Sequence, residues 1–170
     1  YMLKEIYEQP EAIQQTISQA LNGNVLREDF LKDAVVDFEK IQQIQIIACG
    51  TSYHAGMIAK YWFEQLIDLP CQVEIASEFR YRTPVIVNNT LYVCISQSGE
   101  TADTLAALRD TQKRAAAKNL NIATLTICNV ATSSMIRETN HSLLTLAGPE
   151  IGVASTKAFT TQLAALMLLV

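Results

Sequence analysis

The chain of 170 residues is long enough for one compact domain, and its 49% hydrophobic residues supply ample material for a core, which excludes a disordered chain. Thirteen Lys and Arg against seventeen Asp and Glu give a formal net charge of −4, and the basic residues form no run, so no nucleic-acid partner is expected. The longest apolar stretch, Leu163 to Val170, is far shorter than the roughly 20 residues that cross a bilayer, and no basic-then-apolar segment opens the chain, so we expect a cytoplasmic protein without membrane contact.

A helical segment is predicted first. Apolar residues recur at helical spacing from Glu5 to Leu21, and Gly23 is placed to end that helix. A second short helix is predicted from about Asp29 to Glu39, where apolar side chains can share one face. We expect residues 1–40 to form a helical preface and residues 41–170 to form one domain.

Short apolar runs alternate with helical stretches beyond residue 40. This alternation predicts an α/β fold with a parallel sheet covered by helices on both faces. The predicted strands are Ile44–Ala48, Cys71–Ile75, Leu91–Ile95, Ile122–Ile127 and Leu143–Ala147, and the helices between them are Tyr53–Ile67, Thr101–Lys118 and Ser133–Thr139.

Two predicted strands end in loops that combine hydroxyl side chains with a glycine at a helix start. Loop one is Cys49–Ser52, and loop two is Ser96–Thr101. The first N–H groups of a helix have no partner inside it, so together with hydroxyls and the helix dipole they can bind a phosphate without a fixed cation. Ordinary helix capping explains one such loop, but two at the ends of two strands favour a small phosphorylated ligand.

Nucleotide sites are disfavoured by the same loops. Neither loop contains Lys or Arg, and the chain lacks the GxxxxGK[ST] pattern of a triphosphate site. Loop one also lacks GxGxxG, which makes a dinucleotide site a poor match.

A third hydroxyl-bearing segment, loop three (Glu150–Lys157), follows the last predicted strand and leads into another helix. It is a candidate third wall of the same pocket. For Lys157 the sequence leaves three options open, which are an ion pair with Glu150, contact with an anionic ligand, or a solvated side chain.

Few side chains suggest acid–base chemistry. We expect His54 and His141 to be surface or packing histidines, and Glu100 to lie in the first turn of its helix, where a carboxylate favours the dipole. The stretch VEIASEFRYR, with the aromatics Phe79 and Tyr81, suggests a subunit contact. The four cysteines, Cys49, Cys71, Cys94 and Cys128, form no CxxC pair and are expected to be small packing residues without a metal.

Three motifs resemble the sugar isomerase (SIS) domain of the glucosamine-6-phosphate synthase family. They are CGTSYHAG (Cys49–Gly56), SQSGETADT (Ser96–Thr104) and EIGVASTKAFTTQ (Glu150–Gln162). The opening KEIYEQP (Lys4–Pro10) resembles the segment that joins the glutaminase and isomerase halves of those enzymes. The resemblance covers nearly all of the chain and implies a three-layer α/β/α sandwich with a five-stranded parallel sheet. It also implies the module that makes glucosamine 6-phosphate from fructose 6-phosphate and glutamine.

The resemblance assigns roles to individual residues. Ser96, Ser98 and Thr101, with Gln97 beside them, match the hydroxyls that hold the sugar phosphate. The other expected substrate-binding residues are Cys49, Gly50, Thr51 and Ser52 in loop one, and Val153 and Ser155 in loop three. The resemblance implies a homodimer, and it implies no metal or cofactor.

The chain is expected to be a piece of a longer polypeptide, because it starts at Tyr1 and stops inside an apolar helical stretch. In the family, the glutaminase cysteine lies in an upstream domain, and the Schiff-base lysine and the isomerising Glu and His lie in a second SIS domain. We therefore expect this chain, as the first SIS domain, to bind sugar phosphate without catalysing its conversion.

Two other functions stay open for the sequence alone. A SIS module can sense a sugar phosphate without catalysis, and a related SIS enzyme can isomerise or deaminate another amino sugar. A DNA-binding segment before residue 1 would favour the sensor, whereas KEIYEQP and VASTKAFTTQ favour the glutamine-dependent enzyme.

Overall fold

The structure, a computed structural model, describes residues 1–27, 30–31 and 38–170, and its elements alternate between helices and strands. In chain order they are α1 (Met2–Ser18), β1 (Leu21–Asn22), β2 (Val25–Leu26), a 3₁₀ turn (Phe38–Lys40), β3 (Gln43–Ala48), α2 (Gly50–Ile67), β4 (Cys71–Ile75), α3 (Ala76–Tyr81), β5 (Thr90–Ile95), α4 (Ala102–Ala117), β6 (Ile122–Cys128), α5 (Ser134–Glu138), β7 (His141–Leu144) and α6 (Lys157–Met167). In the described part of the chain, no helix has the length and apolar character needed to cross a membrane.

A five-stranded parallel sheet, counted over the described residues, forms the centre of the molecule. Its spatial order is β4-β3-β5-β6-β7, so the chain first moves outward from β3 to β4 and then returns across β3 to build the other side. The direction of winding reverses between β3 and β5, which is where ligands gather in open parallel sheets. Ala48 pairs with Ile95 in register, so the loops after these two strands leave the sheet at the same level.

Both faces of the sheet are covered, which explains why its strands are near-continuous apolar runs. On one face, Ile46 and Val93 pack into a cluster with residues of α2 and α6, including Phe63. On the other face, Ile47 and Tyr92 pack with residues of α3, α4 and α5. The predicted three-layer sandwich is therefore confirmed, and strand residues two apart in sequence share a face.

The amino-terminal region differs from its prediction. α1 begins earlier and ends at Ser18, and the short hairpin β1–β2 occupies residues 21–26. Gly23 does not end a helix but lies in the hairpin turn with φ +64°. Most of the helix predicted for residues 29–39 falls outside the described residues. α1 packs directly against α6, so this part of the preface is joined to the body of the domain.

Two further differences concern the later elements. The last strand is β7, His141–Leu144, three residues earlier at its end than predicted, and Leu146 and Gly148 beyond it have φ values of +45° and +67°. The stretch read as a subunit contact contains α3, and of its two aromatic residues Phe79 is buried whereas Tyr81 is exposed. The remaining strands match their predictions to within one residue at each end.

Candidate functional site

Loop one connects β3 to α2 and presents backbone N–H groups. Cys49 is the N-cap residue of α2 in extended conformation, and its side chain makes no capping hydrogen bond. Gly50 has φ +56°, and an added Cβ there would meet nothing within 4 Å, so the backbone angle alone accounts for the glycine. Thr51 is exposed and Ser52 is buried, so the two hydroxyls of this loop differ in their access to solvent.

Loop two connects β5 to α4 and is folded by its own hydroxyls. The Ser96 hydroxyl is buried, lies 2.8 Å from Oγ1 of Thr101, and accepts a hydrogen bond from the Gly99 N–H at 3.1 Å. The Ser98 hydroxyl accepts the Glu100 N–H at 3.2 Å. The two hydrogen bonds from N–H groups leave the hydroxyl protons for other acceptors.

Gly99 lets loop two lie against the segment that follows β6. Its φ is +66°, and an added Cβ would overlap the Ser133 side chain and approach Sγ of Cys128 to 3.3 Å. The Gly99 carbonyl accepts the Met135 N–H at 3.2 Å, and the Gln97 carbonyl accepts the N–H of Asn129 at 3.1 Å. Loop two is therefore supported by its neighbour in the sheet.

Glu100 does not act on its own helix, as the sequence suggested, because α4 begins only at Ala102. Its Oε1 instead accepts the N–H of Ser134, the first residue of α5, at 2.6 Å. This hydrogen bond holds the pKa of Glu100 below its ordinary value. The Glu100 carboxylate is thus an anion that stabilises the contact between loop two and the start of α5.

Helix α4 also begins without a side-chain cap, since its N-cap residue Thr101 directs its hydroxyl to Ser96. Ordinary capping therefore does not explain the hydroxyls of either loop. Two uncapped helix starts lie at the ends of adjacent strands, and each contributes the positive end of a dipole. An anion at this edge of the sheet would meet N–H and O–H donors without a cation.

Loop three is organised by Glu150. Its Oε1 accepts the N–H groups of Thr156 and Ala158 at 2.8 and 3.1 Å, and its Oε2 accepts the Ser155 hydroxyl at 3.1 Å. Glu150 thereby caps α6 and orients Ser155. Val153 lies at the tip of the loop and is fully exposed.

Lys157 neither pairs with Glu150 nor has a solvated side chain, which were two of the three options left open for it. Its side chain is buried, and Nζ lies 2.7 Å from Oε2 of Glu8 on α1. This hydrogen bond from Lys157 lowers the pKa of Glu8. A buried ammonium without a partner would be costly, so the pair accounts for both side chains.

Loops one and two leave adjacent strands, whereas loop three is linked to loop one through the packing of the helices that follow them. β7 is separated from β5 by β6, but α6, which follows loop three, packs against α2, which follows loop one. The ten predicted substrate-binding residues therefore lie in loops that follow the carboxyl ends of strands, or in the first turn of the helix that such a loop leads into.

The two histidines differ in their distance from these loops, since His54 follows loop one by two residues and His141 lies at the other end of the sheet. His54 is an exposed residue of α2, with its ring edge-on to Tyr53 at 5.8 Å. His141 is buried at the amino end of β7, the opposite end of a parallel sheet from loops one and two. Burial lowers the pKa of His141, which agrees with the packing role expected for it.

Sequence reasoning missed the acidic residues of α1. Glu5 and Glu8 are three positions apart and share a helix face, and both contact loop three. This spacing was the available signal, but their partners are about 150 positions away in the sequence, so no local pattern indicated them.

A family model described as the SIS domain matches residues 37–170. Two curated proteins, both named glutamine–fructose-6-phosphate aminotransferase (isomerizing), are similar over the chain. The one from Acinetobacter baylyi is 86% identical over 170 residues, which are 100% of this chain and 28% of that protein. The one from Pseudomonas putida is 60% identical over 171 residues, with 99% of this chain and 27% of that protein covered.

A solved structure matches the fold at high similarity. The C-terminal domain of glucosamine-fructose-6-phosphate aminotransferase from Francisella tularensis superposes with a TM-score of 0.90 at 55% identity, covering 99% of this chain and 46% of that one. The chain thus spans less than a third of the length of the curated relatives that it matches.

Proposed function

Because the chain belongs to the SIS domain family, we propose that it binds fructose 6-phosphate at loops one and two, as the sugar-phosphate-binding half of the isomerase module of a glutamine-dependent aminotransferase. The full protein would make glucosamine 6-phosphate from fructose 6-phosphate and glutamine. The names of the relatives support this choice over a non-catalytic sensor or another amino-sugar isomerase or deaminase.

The position of loops one and two at the switch point of the sheet carries this proposal. The two loops leave adjacent strands in register and end in helices without side-chain caps. A phosphate placed between the two helix starts would accept hydrogen bonds from N–H groups that have no intrahelical partner.

Loop two is proposed to hold the phosphate through its hydroxyls. Ser96 and Thr101 have two hydroxyl protons and share one hydrogen bond, which leaves one proton for a phosphate oxygen. Ser98 accepts its bond from Glu100 and can donate its own proton as well. Gln97 is proposed to contribute its side-chain amide beside them.

The sugar is proposed to lie toward loops one and three. Cys49, Gly50, Thr51 and Ser52 are the proposed contacts from loop one. Val153 and Ser155 are those from loop three, where Glu150 accepts the Ser155 hydroxyl and so sets its direction.

Conversion of the sugar is assigned to parts of the full protein outside this chain. An aldose–ketose conversion needs an acid or base to open the ring and a base to move a proton between two carbons. Glu100 and Glu150, the carboxylates of loops two and three, are engaged with the starts of α5 and α6. We therefore propose that the chain binds its substrate without converting it, and that the missing glutaminase and second SIS domains complete the enzyme.

A homodimer is part of the proposal. The edge beside β4 exposes Tyr81 and Val85 to 78% and 80%, and the Arg80 guanidinium lies 5.0 Å from the Tyr81 ring centroid. Exposed aromatic and Arg side chains are enriched at protein interfaces. The expected cytoplasmic location stays a prediction.

The proposal is tested by titrating the chain with fructose 6-phosphate, fructose and inorganic phosphate, using calorimetry and the amide shifts of Ser96–Thr101. We expect saturation with both phosphate compounds and no response to fructose. The Ser96→Ala/Ser98→Ala variant should bind fructose 6-phosphate at least roughly 10- to 100-fold more weakly, because each hydrogen bond to a charged group contributes about 1.5–3 kcal/mol.

Ser142→Ala is the matched control, because Ser142 is an exposed hydroxyl on the edge strand β7. It should leave the affinity unchanged. If the double variant remains folded by circular dichroism and binds as well as the unaltered chain, loop two is not the phosphate site.

A further inference from the structure

The carboxylate of Glu5 holds the first half of loop three. Only 3% of this residue is exposed. Its Oε1 accepts the N–H of Ile151 at 2.6 Å, and both oxygens lie within 3.2 Å of the Gly152 N–H. These hydrogen bonds keep the pKa of Glu5 below its ordinary value, and the one from Ile151 has the largest effect. The carboxylate is therefore an anion at neutral pH.

Glu8, one turn further along α1, holds the end of the same loop through Lys157. The Lys157 ammonium is buried, and its 2.7 Å ion pair with Glu8 fixes it to α1. Two carboxylates on one face of a single helix thus secure residues 151–152 and residue 157.

The approach of α1 to loop three is close. A Cβ added to Gly152 would lie 2.5 Å from Oε2 of Glu5 and 3.5 Å from Cα of Met2. Further along α1, the Thr16 hydroxyl donates to the Thr145 carbonyl, and the Gln19 amide donates to the Leu144 carbonyl. The helix is therefore attached to residues 144 and 145, before loop three, and to residues 151, 152 and 157 of the loop itself.

Residues 153–156 lie between the two attachment points and include the sugar contacts proposed for this loop. Val153 and Ala154 are exposed, whereas Ser155 is half-buried and bonded to Glu150. A segment this short has little freedom when both of its ends are fixed, so the positions of Val153 and Ser155 depend on α1.

We propose that Glu5 is a positioning residue for the sugar part of the ligand: it does not touch the ligand, but it holds loop three so that Val153 and Ser155 meet the sugar. This inference rests on the function proposed above. The match to the SIS family model begins at residue 37, so α1 lies outside the part of the chain that the family model describes.

The test compares ligands that do and do not carry a sugar. Glu5→Ala should weaken binding of fructose 6-phosphate by about tenfold, because the ligand must then order a loop that is no longer held in place. Inorganic phosphate, followed through the amide shifts of loop two, should bind the variant within about twofold of its affinity for the unaltered chain, since loops one and two do not contact Glu5.

Glu5→Gln keeps the side-chain shape and one acceptor oxygen, and it should give an intermediate loss even if Glu5→Ala folds poorly. Glu11→Gln is the matched control, because Glu11 is an exposed residue of α1 whose carboxylate meets only Gln15 among the contacts described. It should change neither affinity. The amide resonances of Ile151 and Gly152 should shift in the Glu5 variants and not in the control.

The outcomes separate the two proposals. If the unaltered chain binds fructose 6-phosphate and both Glu5 variants bind it equally well, the positioning role is wrong while the proposed function stands. A parallel loss of inorganic phosphate and fructose 6-phosphate would also overturn it, because the effect would then be a general disturbance of the fold. If the unaltered chain binds neither ligand, both proposals fail.

Discussion

Individual cysteines of this domain differ in how far solvent reaches them. Cys71, Cys94 and Cys128 are buried, and burial raises the pKa of Cys71 and Cys94 to about 12. Cys49 is half-buried at the start of α2, within loop one. Because thiolates react and buried thiols ionise poorly, only Cys49 is placed to report on the ligand site.

We predict that a thiol reagent modifies Cys49 first in the folded chain and that fructose 6-phosphate slows this reaction. Mass spectrometry of partially labelled protein gives the site and the rate. Cys49→Ser should remove the fast reaction. Fast labelling of a second cysteine in that variant would contradict the assignment.

Gly99 combines two demands on a residue without a side chain. Its φ of +66° is unfavourable for other residues, and the space that a Cβ would need is filled by Ser133. Gly23 has nearly the same φ, +64°, but nothing within 4 Å of an added Cβ. Comparing substitutions at Gly23 and Gly99 therefore separates the destabilisation caused by the backbone angle from that caused by steric crowding.

Gly23→Ala should therefore lower the free energy of unfolding by roughly 1–2 kcal/mol, the cost of a left-handed conformation. Gly99→Ala should lower it by more than this, because Ser133 and the loop must also move. Urea unfolding of both variants measures the difference. Equal losses would mean that the contact with Ser133 relaxes without cost.

At the scale of elements, the edge strand β7 starts with a buried histidine. The Nε2 atom of His141 has no hydrogen-bond partner among the described residues, and its ring centroid lies 6.0 Å from that of Phe38. Burial lowers the pKa of His141 from its ordinary value of 6.5. At neutral pH the first side chain of β7 is thus a neutral imidazole.

The stability of the fold should fall as the pH drops below about 6.5, because the unfolded chain then binds a proton that folded His141 resists. The loss should level off below the lowered pKa of the folded state. His141→Gln should have a flatter dependence of unfolding free energy on pH in this range. The exposed His54 provides the control, since His54→Gln should keep the slope of the unaltered chain, and an unchanged slope in His141→Gln would exclude this residue as its source.

At the scale of the whole molecule, the sheet and loops one and two could be predicted because their signals are local. Ile46 and Val93 are buried on one face of the sheet and Ile47 on the other. Because both faces are covered, each strand is a continuous apolar run. The glycine and hydroxyls of loop two directly follow such a run. Gly23 was misread because a hairpin turn and a helix end both favour glycine.

The organisation around loop three could not be predicted in the same way. The burial of Lys157 depends on Glu8, and the position of Gly152 depends on Glu5, with 149 and 147 positions between the partners. A charged residue near a helix start is usually solvated, so the sequence favoured the wrong environment. Only the docking of α1 against α6 brings these groups together.

That docking also has a consequence for synthesis of the chain. Glu5 leaves the ribosome before Ile151, which is 146 positions later, so at 5–20 residues per second α1 waits roughly 7–30 s for its partners. During that interval its buried side chains, among them Ala12 and Thr16, have no α6 to cover them. Until residues 145–157 have been made, the carboxylate of Glu5 and the hydroxyl of Thr16 lack their folded partners, so the docking of α1 is among the last contacts of this domain to form.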